Sequence, residues 1–326
     1  MPIGEVPRKS ILISSAGRRV QLLELFRSAI SQTPNSQVVA TDSSVLAPAL
    51  YKADTHFIVP HCKASEYPTI LSQLCSEAGI GLVVPTIDSE LPLFAMLSGD
   101  GTIAGTRIVV SSAEVIDICA DKRLTSSFLT GTGLPTVRQE LADDADKVCD
   151  SIGLPCIVKP IFGSSSAGVT RISRRDQLQA ILGPGLIAQE IAAGVEFTVD
   201  VLCSAKSEIL AVVPRRRIEI RAGEVVKSST EHNETIEKSV RRVVESLPGP
   251  IGPLCVQVFW DESSDEINII EINARFGGGF PLSAFAGADF TRYLVAETFR
   301  ERLPSLDWRP GVTMLRYESA VFLEAG

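Results

Sequence analysis

The stretch that most restricts how this chain can fold is Glu266-Ile-Asn-Ile-Ile-Glu-Ile-Asn-Ala-Arg275, followed by Phe276 and three glycines, Gly277 to Gly279. Its isoleucines read as a strand buried in a sheet. Side chains two apart on a strand point the same way, so Glu271, Asn273 and Arg275 should share one face. Polar residues on a buried strand need partners. A carboxylate and an amide oxygen are hard ligands suited to magnesium, and a guanidinium suits a phosphoryl group. A surface strand with alternating polar residues is the alternative, and the isoleucine content favours the buried one. The preceding run, Leu254 to Trp260, should form a hairpin with it around Asp261 to Asp265. If Gln257 pairs opposite Glu271, a second amide joins the same face. A slip of one residue would turn it away.

With 326 residues, 45% of them hydrophobic, the chain can build two or three cored domains. A net charge of -8 argues against a general nucleic-acid binder. No apolar run reaches the ~18 to 20 residues of a membrane span, and Ile11 to Ile13 is too short for a signal peptide. The seven cysteines show no CxxC spacing, and the three histidines (His56, His61, His232) do not cluster. The expectation is a cytoplasmic protein with reduced thiols, no zinc and no membrane partner. No serine–histidine–acid or cysteine–histidine arrangement points to covalent catalysis.

Strand and helix patterns divide the chain into three parts. Residues 1–112 alternate as a Rossmann-like parallel sheet does: strands at Ser10 to Ser14, Gln37 to Thr41, Thr55 to Val59, Gly81 to Pro85 and Arg107 to Val110, with helices between. Ligands bind beyond the carboxyl ends of such strands. That edge carries Ser14 to Arg19, Asp42, and Asp88 with Glu90. Only Gly17 stands in the first turn, so the three glycines of a dinucleotide fingerprint are missing. Residues 113–187 read as a small α+β lid and residues 188–326 as an antiparallel lobe closed by a strand from Met314 to Leu323.

Lys159 precedes Pro160 in an apolar strand, where a lysine is costly unless it meets an anion. Gly163-Ser164-Ser165-Ser166-Ala167-Gly168 follows, a flap with backbone N–H groups and hydroxyls for phosphates. Lys122 opens a helix after Asp121. Gln189, Glu190 and Glu196 could serve a nucleoside, although as isolated residues they also suit the surface. Arg215 and Arg217 should point the same way on a basic segment that ends near His232. That segment suits either an anchor for phosphates or an acidic substrate, or a solvated edge strand.

In this order the residues resemble the ATP-grasp superfamily, in particular the ligase units that resemble one half of the large subunit of carbamoyl phosphate synthetase. The resemblance spans nearly the whole chain. It implies a Rossmann-like pre-ATP-grasp domain followed by a two-lobed ATP-grasp fold. It implies ATP and magnesium (manganese can replace it) as cofactors. Lys122 and Lys159 would contact nucleotide phosphates under the flap of Gly163, Ser164, Ser165, Ser166 and Gly168. Glu190, beside Gln189, would be the hinge glutamate, with the backbone near Ile191 reading adenine. Glu196 would bind ribose. Gln257, Glu271 and Asn273 would hold the metal, and Arg275 would steady an acyl phosphate. The implied activity is an ATP-dependent carboxylate–amine ligase acting on small molecules, its oligomeric state open, with a homodimer allowed. The first turn departs from the synthetase and a single ATP-grasp unit is present, so the acceptor site should differ. Arg19, Asp88 and Glu90, with Arg215, Arg217 and His232, are the substrate candidates: Glu90 for an amino group, Arg19 for a carboxylate. A nucleotide-binding regulator without turnover is the rival, and an NAD-dependent dehydrogenase a weaker one.

Overall fold

The computed structural model describes residues 9–99, 103, 105–163 and 167–324. The N-terminal unit alternates as its sequence requires: β1 (Ser10–Ser14), α1 (Val20–Ile30), β2 (Gln37–Asp42), β3 (Thr55–Ile58), α2 (Tyr67–Glu77), β4 (Ile80–Pro85), α3 (Leu91–Gly99) and β5 (Arg107–Ile108). The strands pair in parallel in the order β3-β2-β1-β4-β5. Ile11 and Ile13 face a core completed by α1, while Leu12 faces the opposite core with Val39 and Val83. Both faces of the central strands β1 and β4 are covered, which is why they are mostly apolar, whereas the edge strand β3 is exposed.

After α4 (Ala113–Ala120) and α5 (Lys122–Gly131) comes a small lobe: β6 (Gln139–Leu141), α6 (Ala145–Ser151), β7 (Cys156–Pro160), β8 (Thr170–Ile172), α7 (Arg175–Ile181) and β9 (Leu186–Glu190). Its strands are antiparallel in the order β6-β9-β7-β8. It has its own core, which includes Val148, Val158, Leu178 and Ala188.

The largest sheet is antiparallel, in the order β14-β13-β10-β11-β12-β15. It comprises β10 (Val195–Cys203), β11 (Ile209–Arg221), β12 (Glu224–Thr230), β13 (Gly252–Asp261), β14 (Glu266–Asn273) and β15 (Thr313–Leu315), with α8 (Glu234–Ser246), α9 (Phe280–Ala286) and α10 (Phe290–Thr298) around it. Ile236, Val240 and Val243 of α8 pack on one face with Val199, Val256, Val258 and Ile272. The period of two leaves the other face polar, and Thr198, Asp200, Arg215 and Asn273 are buried there.

Several expected boundaries are corrected. Val115, Ile116 and Leu129 of α4 and α5 join the core shared with β14, so the small lobe begins at β6 and not at 113. β9 belongs to the small sheet, so a division at 187/188 would cut a strand. α6 begins at Ala145, where Asp144 caps it, accepting from Asp146 N at 2.8 Å. The basic segment is no edge strand, because β11 lies between β10 and β12. The last strand is shorter than expected.

Candidate active site

The β13–β14 hairpin sets the site. Gln257 pairs with Glu271, Cys255 with Asn273 and Val256 with Ile272, while Val258 pairs with Ile269. Ile270 is therefore an extra residue, a β-bulge. It changes the phase of the strand. Ile267 and Ile269 before it and Ile272 after it all face the core, which strict alternation forbids. The bulge turns Glu271 away from the core, into a cleft that Gln257, Asn273 and Arg275 also line. The outer edge of β14 is closed at this point: Ile269 N donates to Pro135 O at 3.1 Å and Thr136 Oγ1 to Ile269 O at 2.9 Å.

Arg275 is clamped from two sides. Its Nε and Nη2 donate to Asp88 Oδ1 and Oδ2 at 2.9 and 2.8 Å, and Nη2 also donates to Asn273 Oδ1 at 3.1 Å. Among the described residues, the Gln257 amide and the Glu271 carboxylate have no side-chain partner at all. Lys159 is only 6% exposed. Burial, with Lys122 nearby and against the pull of Glu271, lowers its pKa to about 8. Lys122, Lys159 and Glu271 thus feel one another across one space. Lys122 Nζ donates to Gly163 O at 2.6 Å.

This donor set fits magnesium. One unpartnered carboxylate and two amide groups at hairpin-paired positions offer hard oxygens, and a nucleotide-bound ion takes its other ligands from phosphates and water. Among the described residues no three His, Cys, Asp or Glu side chains cluster for a metal held by protein alone.

Other predicted residues lie elsewhere or serve differently. Ser164, Ser165 and Ser166 fall outside the described residues. Gly163 and Gly168 adopt φ of +110° and +73°, a region where glycine is favoured. Gln189 is buried in β9, with Nε2 3.4 Å from Gln139 Oε1. The Glu190 carboxylate is held by Arg138, Nε and Nη2 each at 3.0 Å, which keeps it below the usual carboxylate range. Ile191 follows directly, where the chain leaves the small sheet. Glu196 pairs with Arg217 across the β10–β11 ladder; burial raises its pKa despite that arginine.

Two substrate candidates are corrected. Glu90 is fully buried and accepts from Ser14 Oγ (2.8 Å), Ser15 Oγ (2.6 Å) and Tyr67 OH (2.7 Å). Fully buried and held by three hydroxyls, it does not stand free for an amino group, and burial raises its pKa. His232 stacks on Trp308 at 4.1 Å and meets Glu237 Oε1 at 3.0 Å, and it does not line the cleft. Asp88 acts on Arg275 rather than standing free for substrate. Arg215 does line the cleft, but its Nε and Nη2 hold Asp200 at 2.7 and 3.0 Å. Ser283 Oγ of α9 donates to the same carboxylate at 2.6 Å. Sequence reasoning missed Asp200, Ser283, Tyr67 and Glu224. Asp200 had a signal, an acid inside the apolar run from Phe197 to Cys203.

Residues 11–109 match the PylC-like N-terminal domain family and residues 119–279 the ATP-grasp domain family. This chain carries an ATP-grasp domain. It is 32% identical over 142 residues to the D-alanine–D-alanine ligase of Mycobacterium tuberculosis, 38% of each chain. It is 22% identical over 228 residues to the carbamoyl phosphate synthase large chain of Agathobacter rectalis, covering 64% of this chain and 21% of that one. The chain thus spans well under half the length of these curated relatives. The structure of N5-carboxyaminoimidazole synthetase from Staphylococcus aureus with ADP superposes with a TM-score of 0.72 over 91% of this chain and 79% of that one, at 19% identity. The chain therefore shares that fold, a parallel-sheet domain ahead of two antiparallel lobes.

Proposed function

We propose that this chain is an ATP-dependent carboxylate–amine ligase. It would activate a carboxylate as an acyl phosphate, let an amine displace phosphate, and release ADP and phosphate. One observation carries the reading: Gln257 and Glu271 face a cleft without partners, within electrostatic reach of a buried Lys159. Unpaired polar groups held in a fixed geometry are costly unless a ligand completes them. The named activities of the curated relatives support the same reaction class.

The residues divide the work. Lys122 and Lys159 bind nucleotide phosphates. Gln257, Glu271 and Asn273 hold magnesium, which when bound supplies charge neutralisation for phosphoryl transfer. Asp88 and Asn273 fix the Arg275 guanidinium before substrate arrives, so no reorganisation is needed as charge develops on the phosphoryl oxygens. The small lobe carries Lys159 on β7 and the segment after it, so its approach would exclude water from the acyl phosphate. Residues near Glu190 and Ile191 take the adenine, and Glu196 the ribose. Ammonia or a thiol satisfies the same geometry as an amine. We read the protein as cytoplasmic. All seven cysteines are free, which fits a reducing compartment, and among the described residues no helix is long and apolar enough to cross a membrane.

The test is a thermal shift followed by turnover. Mg-ATP at ~100 times its Kd should stabilise the protein by about 2.7 kcal/mol, and NAD should not. A panel of carboxylates and amines should release ADP. The absence of both a Mg-ATP shift and ADP release from every pair would end the ligase reading.

A further inference from the structure

The cleft contains a second set of polar groups that phosphate binding, metal binding and Arg275 leave unused. Arg19 stands just after the turn that follows β1 and reaches toward Gly277–Gly279; a Cβ on Gly278 would lie 3.2 Å from its Nη1. Among the described residues no ion pair or side-chain hydrogen bond engages its guanidinium. The carboxylate in its reach, Glu224, is already occupied on both oxygens. Arg18 Nη2 takes Oε1 at 3.1 Å and Arg316 Nη1 takes Oε2 at 3.0 Å. Burial first, then the charge of Arg275, lowers the pKa of Arg19 to about 10. Glu224 pulls the other way but is shared with Arg18 and Arg316, so this guanidinium has no counter-ion of its own.

Arg215 lies against the same glycines. It is fully buried, and its Nη1 has no partner although Nε and Nη2 do. The glycines permit the approach. A Cβ on Gly277 would come 2.9 Å from Cys255 Sγ, and one on Gly279 would run into the Arg215 guanidinium. Three guanidiniums that line this end of the cleft (Arg19, Arg215 and Arg316) stand against two carboxylates, Asp200 and Glu224. One positive charge is left over.

We propose that Arg19 and Arg215 Nη1, at the Gly277–Gly279 turn, bind a second oxyanion of the substrate, a carboxylate or a phosphate that does not react. The proposal rests on the ligase reading and narrows it. The substrate acid carries two anionic groups: one is activated beside Arg275, and the other anchors at Arg19. Forked guanidiniums match the planar or tetrahedral oxygens of such groups, and a simple monocarboxylate would leave both donors unpaired.

The test uses the full chain with Mg-ATP and three probe sets: simple monocarboxylates (acetate, propionate, butyrate), dicarboxylates (succinate, glutamate, aspartate), and phosphate-bearing acids (3-phosphoglycerate, phosphoserine). Calorimetry on the Mg-ADP form measures binding, and ADP release with an amine panel measures turnover. At least one compound with two anionic groups should bind while the monocarboxylates do not; which of the two sets binds identifies the oxyanion. Arg19→Gln should weaken that compound's binding or raise its KM by ~10- to 100-fold, as loss of a charge-assisted hydrogen bond does, and leave the Mg-ATP thermal shift unchanged. Gly278→Ala, which crowds Arg19 without removing it, should act in the same direction and more weakly. If no two-anion compound binds, or monocarboxylates bind as well, or Arg19→Gln changes nothing, the second-oxyanion site is wrong, and a retained Mg-ATP shift keeps that failure separate from failure of the ligase reading.

Discussion

The cleft face of the β13–β14 hairpin and the carboxyl edge of the N-terminal sheet both carry polar residues that the sequence marks as candidates, and they treat them in opposite ways. On the hairpin, Glu271 and Gln257 have no partners. At the sheet edge, Glu90 has three hydroxyl donors, Asp42 accepts from Gly17 N at 2.8 Å, and Asp88 is held by Arg275. Saturated groups fix shape; unsaturated ones wait for a ligand. Arg19 breaks the pattern at the sheet edge, with a guanidinium that lines the cleft and that no side chain engages among the described residues, which is why it points to substrate.

The contrast can be broken in graded steps. Asp200 is a saturated acid within the cleft itself. Asp200→Ala should cost about 3–5 kcal/mol, because it strands the buried Arg215 charge; denaturant unfolding of the variant measures it. Glu271→Gln should leave the unfolding midpoint near wild type and lower ADP formation on the order of 10²- to 10³-fold, the scale of a lost electrostatic stabiliser. Glu90→Gln should do the reverse, costing about 1–3 kcal/mol through mismatched buried hydrogen bonds with far less effect on turnover per folded molecule. Its pH signature has a definite sign. The folded pKa of Glu90 lies above its ordinary value of 4.5, so the folded state holds the proton longer. That contribution is complete below pH 4.5 and fades as pH rises through the folded pKa. Urea midpoints across pH should show this fall in the wild type and not in Glu90→Gln. A Glu271→Gln variant that unfolds early but turns over normally would undo the comparison.

The smallest effect concerns Lys159. Below pH 8 it carries its proton and binds phosphate directly. Above about 8 the nucleotide must draw a proton in, so affinity should fall by up to about tenfold per pH unit. Calorimetry in two buffers of different ionisation enthalpy should detect the uptake, and Lys159→Met should abolish it.

Much of this was readable in the sequence where the information is local. The parallel sheet followed from apolar runs, and the β13–β14 hairpin from two strands joined by a short turn, although its register stayed open between Gln257 facing Glu271 and a slip of one residue. The shared face of Arg215 and Arg217 followed from the period of two. What escaped depends on pairing between distant segments. Glu90 meets Ser14, Ser15 and Tyr67 from two distant places in the chain, and nothing beside Glu90 announces them. β9 reads as a strand, but its sheet is chosen by β6 and β7. The bulge at Ile270 was invisible too: alternation from Ile267 predicts Glu271 on the apolar side.

That single extra residue can be lost without turning the metal face over. Deleting Ile270 would put Glu271 directly after Ile269, and strict alternation would then keep Ile267, Ile269 and Ile272 on the core and Glu271 and Asn273 toward the cleft. Deleting Ile272 instead would send Glu271 and Asn273 to opposite faces. The same change in length is therefore harmless at one end of this strand and ruinous a few residues further on.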